Sequence, residues 1–291
     1  MTEEEALNRI RECFPELTWN SYEFLTHGWD HVVVVLGGEV VIRIPREPAY
    51  QDALSDEIRL LDYLREKVDV GTPHYQYIAE DRRIAGYDLL PGLELTPERF
   101  NGLSRVDRQS AAIQLAAFIK TLHETPKSVI KQFNVRVEDQ RALHDRLLIE
   151  LKELVFPRLD PSDRQAIERY FDRTRDTRSD PYEDVLTHAD LSPEHILWDS
   201  VDKKINIIDF SDRAYGDPAI DFSGLFEYGR PFVENVLMLY GDRSGGQTLQ
   251  RAEMYFTWVP LWLMIDSIRG DAPPPYTFEY GYKNFRERFY R

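Results

Sequence analysis

Apolar side chains recur at helical spacing at the start of the chain, where Ala6, Leu7, Ile10 and Phe14 share one face of a helix over residues 3–14. From Tyr22 the rhythm changes to that of strands. The runs YEFLT, VVVVL and EVVIRIP are β-rich; the loop THGWDH separates the first two, and Gly37-Gly38 between the last two signals a hairpin, so a meander is expected. Past Pro45 and Pro48, ALSDEIRLLDYLRE returns to helical spacing, with Leu54, Ile58, Leu61 and Leu64 on one stripe and Ser55 as its cap. Strand signals reappear in YQYIAE and RIAGYDLL, and PGLELTP then breaks the pattern with two prolines and a glycine. The boundary between two lobes, residues 1–91 and 92–291, is placed there.

Beyond it, SAAIQLAAFIKTLHET reads as a core helix, and more helix follows through HDRLLIELKELVF and PSDRQAIERYFDRT. A short β-like island, from DVLTHADLSPEHILWD to KINIIDFSD, interrupts this part, with two apolar runs flanking a polar turn. After GDPAIDFSGLFEYG the remainder reads as helix rich in tyrosine and tryptophan. The expected class is α+β: a small β-rich lobe, then a larger, mainly helical lobe with a hairpin set into it, and a cleft between them. No internal repeat is present.

At 291 residues each lobe can bury its own core, and 42% hydrophobic with 30% charged residues is ordinary globular composition that excludes a disordered chain. The opening MTEEEALNRIRECF is acidic and amphipathic without an apolar core region, and runs such as WVPLWLMI are far too short to cross a bilayer; a cytoplasmic protein with no membrane partner is the expectation. Cys13, the one cysteine, fits a reducing compartment and no structural zinc site. A net charge of −15 argues against nucleic acid and for a small cationic partner. No heptad pattern or long apolar helix face stands out, so a monomer is expected.

The candidate chemistry lies in His188, Asp190, His195 and Asp209. Asp190 follows an apolar strand and Asp209 ends the run INII, so a hairpin pairing those runs would bring both carboxylates to one edge. One can then deprotonate a hydroxyl while the other holds a divalent cation, magnesium, which is the division of labour that phosphoryl transfer needs. Taken singly, each aspartate reads equally well as a turn cap or a strand end.

The segments HADLSPEHILWD and IIDFSD resemble the catalytic and metal-binding segments of the aminoglycoside phosphotransferase and choline kinase superfamily, whose pattern is H-x-D-x-x-x-x-N followed by I-D-F/W. GDPAIDF, residues 216–222, is also typical of it. The resemblance implies a protein-kinase-like two-lobe fold that transfers the γ-phosphate of ATP or GTP, with Mg2+, to a small-molecule hydroxyl. It implies Asp190 as the base, His188 as the residue orienting the catalytic loop, and Asp209 and His195 at the metal. In the small lobe it places Arg43 where kinases keep a lysine for the phosphates, and Glu57 as its ion-pair partner. Gly28 would sit in the loop over the phosphates, which has neither G-x-G-x-x-G nor a Walker A pattern, and the backbone around Asp88 and Leu90 would face the purine. Asp217 and Asp221 are expected to fix the segment after the metal site through backbone or arginine hydrogen bonds.

Two positions depart from that pattern: His195 stands for asparagine and Arg43 for lysine. Imidazole is a poorer magnesium donor than an amide oxygen, whereas arginine keeps the charge and grips phosphate through two donors. Both variants are similar to those of the antibiotic kinases acting on macrolides or on the 2″-hydroxyl of aminoglycosides. An active aminoglycoside O-phosphotransferase is therefore expected, with Asp212, Glu227 and Asp266 receiving the ammonium groups. A macrolide phosphotransferase and a nucleotide-binding pseudokinase are the alternatives. A metal-dependent phosphohydrolase ranks last, because two-metal hydrolases need more ligands than this hairpin supplies.

Overall fold

Thr2 begins the first helix, α1 (Glu3–Cys13), through a capping box with Glu5, and the three glutamates of the first turn complement the positive end of the helix. The computed structural model describes residues 1–25, 30–80 and 83–290. The β-rich runs form β1 (Tyr22–Leu25), β2 (His31–Leu36) and β3 (Val40–Pro45), followed by α2 (Pro48–Arg65), β4 (Tyr75–Ile78) and β5 (Ala85–Asp88). These strands make one antiparallel sheet in the order β1-β2-β3-β5-β4. One face carries Val32, Val34, Ile42, Ile44 and Ile84 against Ala6, Leu7, Ile10 and Phe14 of the first helix. The other face sends Val41, Ala85 and Tyr87 into the core shared with α2 and the helical part. Burial on both faces is why VVVV reads as an unbroken apolar run instead of an alternation. Arg43 follows the alternation to the second face. α2 starts at Pro48 after Glu47, as suits a proline at a first helical position, so Ser55 lies within the helix and does not cap it.

The chain continues as β6 (Leu93–Glu94), α3 (Pro97–Gly102), α4 (Arg105–His123), α5 (Lys127–Gln132), β7 (Arg136–Val137) and α6 (Gln140–Glu150), whose last turn widens into a π turn at Leu151–Val155. Then come α7 (Pro161–Arg173), α8 (Arg175–Ser179), β8 (Val185–Thr187), β9 (Ile196–Asp199), β10 (Lys204–Ile207) and β11 (Ala214–Gly216). The last helices are α9 (Arg230–Tyr240), α10 (Gln247–Arg269) and α11 (Phe278–Phe289). α4 buries Ala111, Leu115, Phe118, Ile119 and Leu122 at the centre of this part. Among the described residues, no helix is long and apolar enough to cross a membrane.

The island is paired differently from the expected hairpin. ILWD pairs with KINI, β9 with β10, whereas VLT joins β7 and β11 in a separate sheet. The short turn after Asp199, whose Oδ1 accepts from Val201 N at 2.8 Å, makes the local hairpin the easier one to close. β6 adds to the other edge of β9. Gly92, just before it, has φ +104° and would place a Cβ 2.7 Å from the backbone of Trp198, so only glycine fits this crossing.

α11 is fastened to α7 by Asp163, which is fully buried and accepts from Tyr282 Oη (2.6 Å), Arg286 Nη1 (2.8 Å) and Tyr290 Oη (2.6 Å). Asp163→Ala is expected to lower the unfolding free energy by about 2 kcal/mol in denaturant titrations. Burial opposes the charge, but the two hydroxyls and Arg286 outweigh it and hold Asp163 below its ordinary value. Its contribution is therefore complete above the ordinary carboxylate range and is lost as pH falls through the lower folded value, so the gap between wild type and variant should narrow on acidification.

Candidate active site

Ile196 pairs with Ile207, so the loop entering β9 and the loop leaving β10 emerge side by side. Ile208 N extends the ladder by donating to His195 O at 3.0 Å. Asp190 and Asp209 thereby meet across one imidazole. His195 Nδ1 lies 3.3 Å from Asp190 Oδ2 and its Nε2 lies 3.8 Å from Asp209 Oδ2. Burial disfavours a charged ring, yet the two carboxylates outweigh it and push His195 up to about 9, so it is an imidazolium at neutral pH. Burial also pushes Asp190 up to about 6; His195 pulls it back, while Asp212 and Asp209 add to the rise. Asp209 goes the other way. Although burial opposes its ionisation, Arg43 and His195 hold it well below the carboxylate range.

The loop that carries Asp190 is set by buried groups. Ala189 has φ +68°, an unfavourable value for a residue with a Cβ. Asp221 holds it there, accepting from His188 N (3.1 Å), Ala189 N (2.8 Å) and His123 Nε2 (3.0 Å). His188 Nε2 donates to Ile208 O at 3.1 Å, and its Nδ1 accepts from Asp190 N at 3.3 Å, so the ring staples one loop to the other without touching the Asp190 carboxylate. Burial keeps it neutral by lowering its pKa. A Cβ on Gly224 would lie 2.3 Å from Leu191 O, so glycine is required where the loop that carries Asp190 rests. Asp217 anchors the following segment through Arg251 Nε (2.7 Å), Tyr255 Oη (2.6 Å) and Ala219 N (2.9 Å).

Arg43 reaches this cluster from β3. Its Nη1 donates to Glu57 Oε1 (2.7 Å) and Tyr75 Oη (2.9 Å), and its Nη2 donates to His31 Nδ1 (3.1 Å) and Asp209 Oδ1 (3.0 Å). Ser211 Oγ also donates to Asp209 Oδ1, at 2.7 Å. Asp209 Oδ2 accepts no hydrogen bond among the described residues, and the side chain is 38% exposed. No group of three or more His, Cys, Asp or Glu among the described residues is arranged to hold a metal ion, and an imidazolium has no lone pair to offer one. Magnesium, however, takes one or two carboxylates and completes its shell with water and substrate phosphates, so the open Oδ2 suits an ion shared with a nucleotide.

The other sequence candidates fall in different places. Gly28 lies outside the described residues. Asp88 ends β5 with an exposed side chain that accepts from Gln76 Nε2 (2.9 Å) and Tyr77 Oη (3.2 Å), and Leu90 is half-buried just beyond. Asp212 pairs with Arg136 at 3.3 Å and acts electrostatically on Asp190, so it belongs to the cluster. Glu227 pairs with Arg288 at 2.6 Å. Asp266 lies on α10, where burial pushes it up to about 6 and the charges acting on it are Arg269, Asp271, Glu150 and Arg146. His31, Tyr75, Ser211 and His123 escaped the sequence reading. Only Ser211, two residues past Asp209 in IIDFS, had a local signal as an Asx-turn partner.

A family model described as "APH: Phosphotransferase enzyme family" matches residues 21–255. Among solved structures, the GDP and kanamycin complex of APH(2″)-IIIa is similar at 25% identity and a TM-score of 0.88, covering 98% of each chain. The GDP complex of wild-type aminoglycoside 2′-phosphotransferase-IIIa is similar at 25% identity and a TM-score of 0.88, over 100% of this chain and 99% of that one. The macrolide 2′-phosphotransferase MphH from Brachybacterium faecium, as apoenzyme, shares the fold at 24% identity and a TM-score of 0.66, over 93% of this chain and 99% of that one.

Proposed function

Because the chain belongs to the phosphotransferase enzyme family, enzymes that transfer phosphate to hydroxyl groups, we propose that it moves the γ-phosphate of ATP or GTP to a hydroxyl of an aminoglycoside. The observation that carries this reading is the meeting of Asp190 and Asp209 on either side of His195, at 3.3 Å and 3.8 Å. Asp190 is the base: at about 6 its pKa leaves it ionised at neutral pH yet near enough to accept a proton. Asp209 would hold magnesium, with His195 beside it as an ion-pair partner that could ligate only after losing its proton. When bound, the ion would neutralise charge developing on the phosphates. Arg43, oriented by Glu57, supplies the positive charge that faces the phosphates. His188 orients the catalytic loop.

Residues 1–91 form the nucleotide lobe and residues 92–291 the catalytic and acceptor lobe in this reading. The purine lies against the connection at Asp88 and Leu90. There Leu89 N already donates to Glu39 O at 2.7 Å and Pro91 has no N–H, which leaves the Leu90 N–H as the donor for the base. A cationic acceptor agrees with the charge of −15 and with kanamycin in the similar complex. Asp212 is the acid best placed for it. At Glu227 an ammonium group would have to displace Arg288, and Asp266 would serve a more distant amine. The lone cysteine supports a cytoplasmic setting, and a monomer suffices because both aspartates come from one chain.

The test is product analysis with purified protein, Mg2+, ATP or GTP, and kanamycin-type or macrolide acceptors. Kanamycin-dependent phosphorylation is expected, with kcat/KM for a macrolide lower by at least about tenfold, the scale on which one unmatched charged contact discriminates. Nucleotide binding without any acceptor-dependent product would replace this reading with that of a pseudokinase.

A further inference from the structure

An arginine side chain has donors and no acceptor, so the 3.1 Å contact between Arg43 Nη2 and His31 Nδ1 has one sense: the guanidinium donates and the ring accepts. The proton of this neutral imidazole is then on Nε2. That Nε2–H is buried and has no hydrogen-bond partner among the described residues, in a residue only 4% exposed. Unpaired buried donors are rare and destabilising, and none of the roles assigned above uses this one. His31 opens β2 two positions before Val33, which pairs directly with Arg43, so alternation puts all three on the sheet face that looks toward Asp209. A buried donor beside a guanidinium, on the face that receives a polyanion, is matched by a phosphate oxygen.

We infer that His31 serves the nucleotide through both ring nitrogens: Nδ1 holds the second amino group of Arg43, and Nε2–H donates to an oxygen of the bound phosphates. This rests on the reading that the nucleotide lies against Arg43. It also gives a physical reason for arginine in the place of lysine, because a lysine has no second amino group for Nδ1 to hold.

Two substitutions separate the nitrogens. His31→Asn keeps an acceptor near the Nδ1 position and removes the donor; His31→Gln keeps a donor near the Nε2 position and removes the acceptor. Calorimetric titration of the full chain with Mg·GDP, Mg·ADP, guanosine and adenosine reads the difference. His31→Asn is expected to lose roughly tenfold in affinity for both diphosphates, the scale of a hydrogen bond to a charged group, and nothing for the nucleosides. His31→Gln is expected to keep most of the diphosphate affinity and to lose kcat, because Arg43 is less firmly held. Wild-type diphosphate affinity in His31→Asn overturns the inference, and so does an equal loss for nucleosides, which would mean a general distortion. Arg43→Ala tells the two readings apart. Unchanged diphosphate affinity there overturns the placement of the nucleotide and this inference with it, whereas a loss there but none in His31→Asn overturns the role of His31 alone.

Discussion

Asp190→Asn is expected to lower kcat by about a thousandfold, within the range by which a positioned general base accelerates proton transfer. The KM for nucleotide should change little. His195 Nδ1 keeps its 2.9 Å hydrogen bond to the Asp190 backbone oxygen, and the loop itself is held by Asp221 and His188 through backbone groups, so what disappears is the capacity to take a proton. The same variant has a readout independent of turnover. Asp190 is the strongest of the groups raising His195 against the effect of burial, so removing its charge should bring the His195 titration, followed by NMR, down from about 9. A variant retaining a tenth of wild-type kcat, with its His195 titration unmoved, would remove Asp190 from the mechanism.

Asp221→Ala is the substitution with the largest expected effect on stability. Asp221 is fully buried, and its loss strands the His188 and Ala189 amides together with His123 Nε2. Removing one partner of such a buried network costs about 3–5 kcal/mol. Ala189 then loses the acceptor that holds its amide at φ +68°, and relaxation of that residue displaces Asp190, the next in the chain. Both a lower denaturation midpoint and a large fall in kcat should follow. Asp221→Asn, which keeps one accepting oxygen, should lie between the variant and wild type. An alanine variant that unfolds within about 0.5 kcal/mol of wild type, the scatter of neutral surface changes, would show that the loop is held by something else.

Apolar spacing carried the α+β class and the succession of a β-rich first region and a mainly helical second one, because side-chain period is a local property of helix and strand backbones. The residue types and order in HADLSPEH and IIDFSD likewise pointed to the two aspartates. Which strands pair was a different matter. ILWD and VLT are equally apolar and short, and the choice of KINI as partner for the first depended on loop closure and on β6 and β11 being present to pair with what remained. The state of the site was decided at that level too. His195 becomes an imidazolium, Arg43 finds His31 and Asp209, and Glu227 meets Arg288 only once segments far apart in the chain are packed together. Coulomb energy and desolvation depend on distance and burial, which no residue's identity contains, so the chemistry to be done was written in the order of amino acids and the charges that would do it were settled by the folded chain.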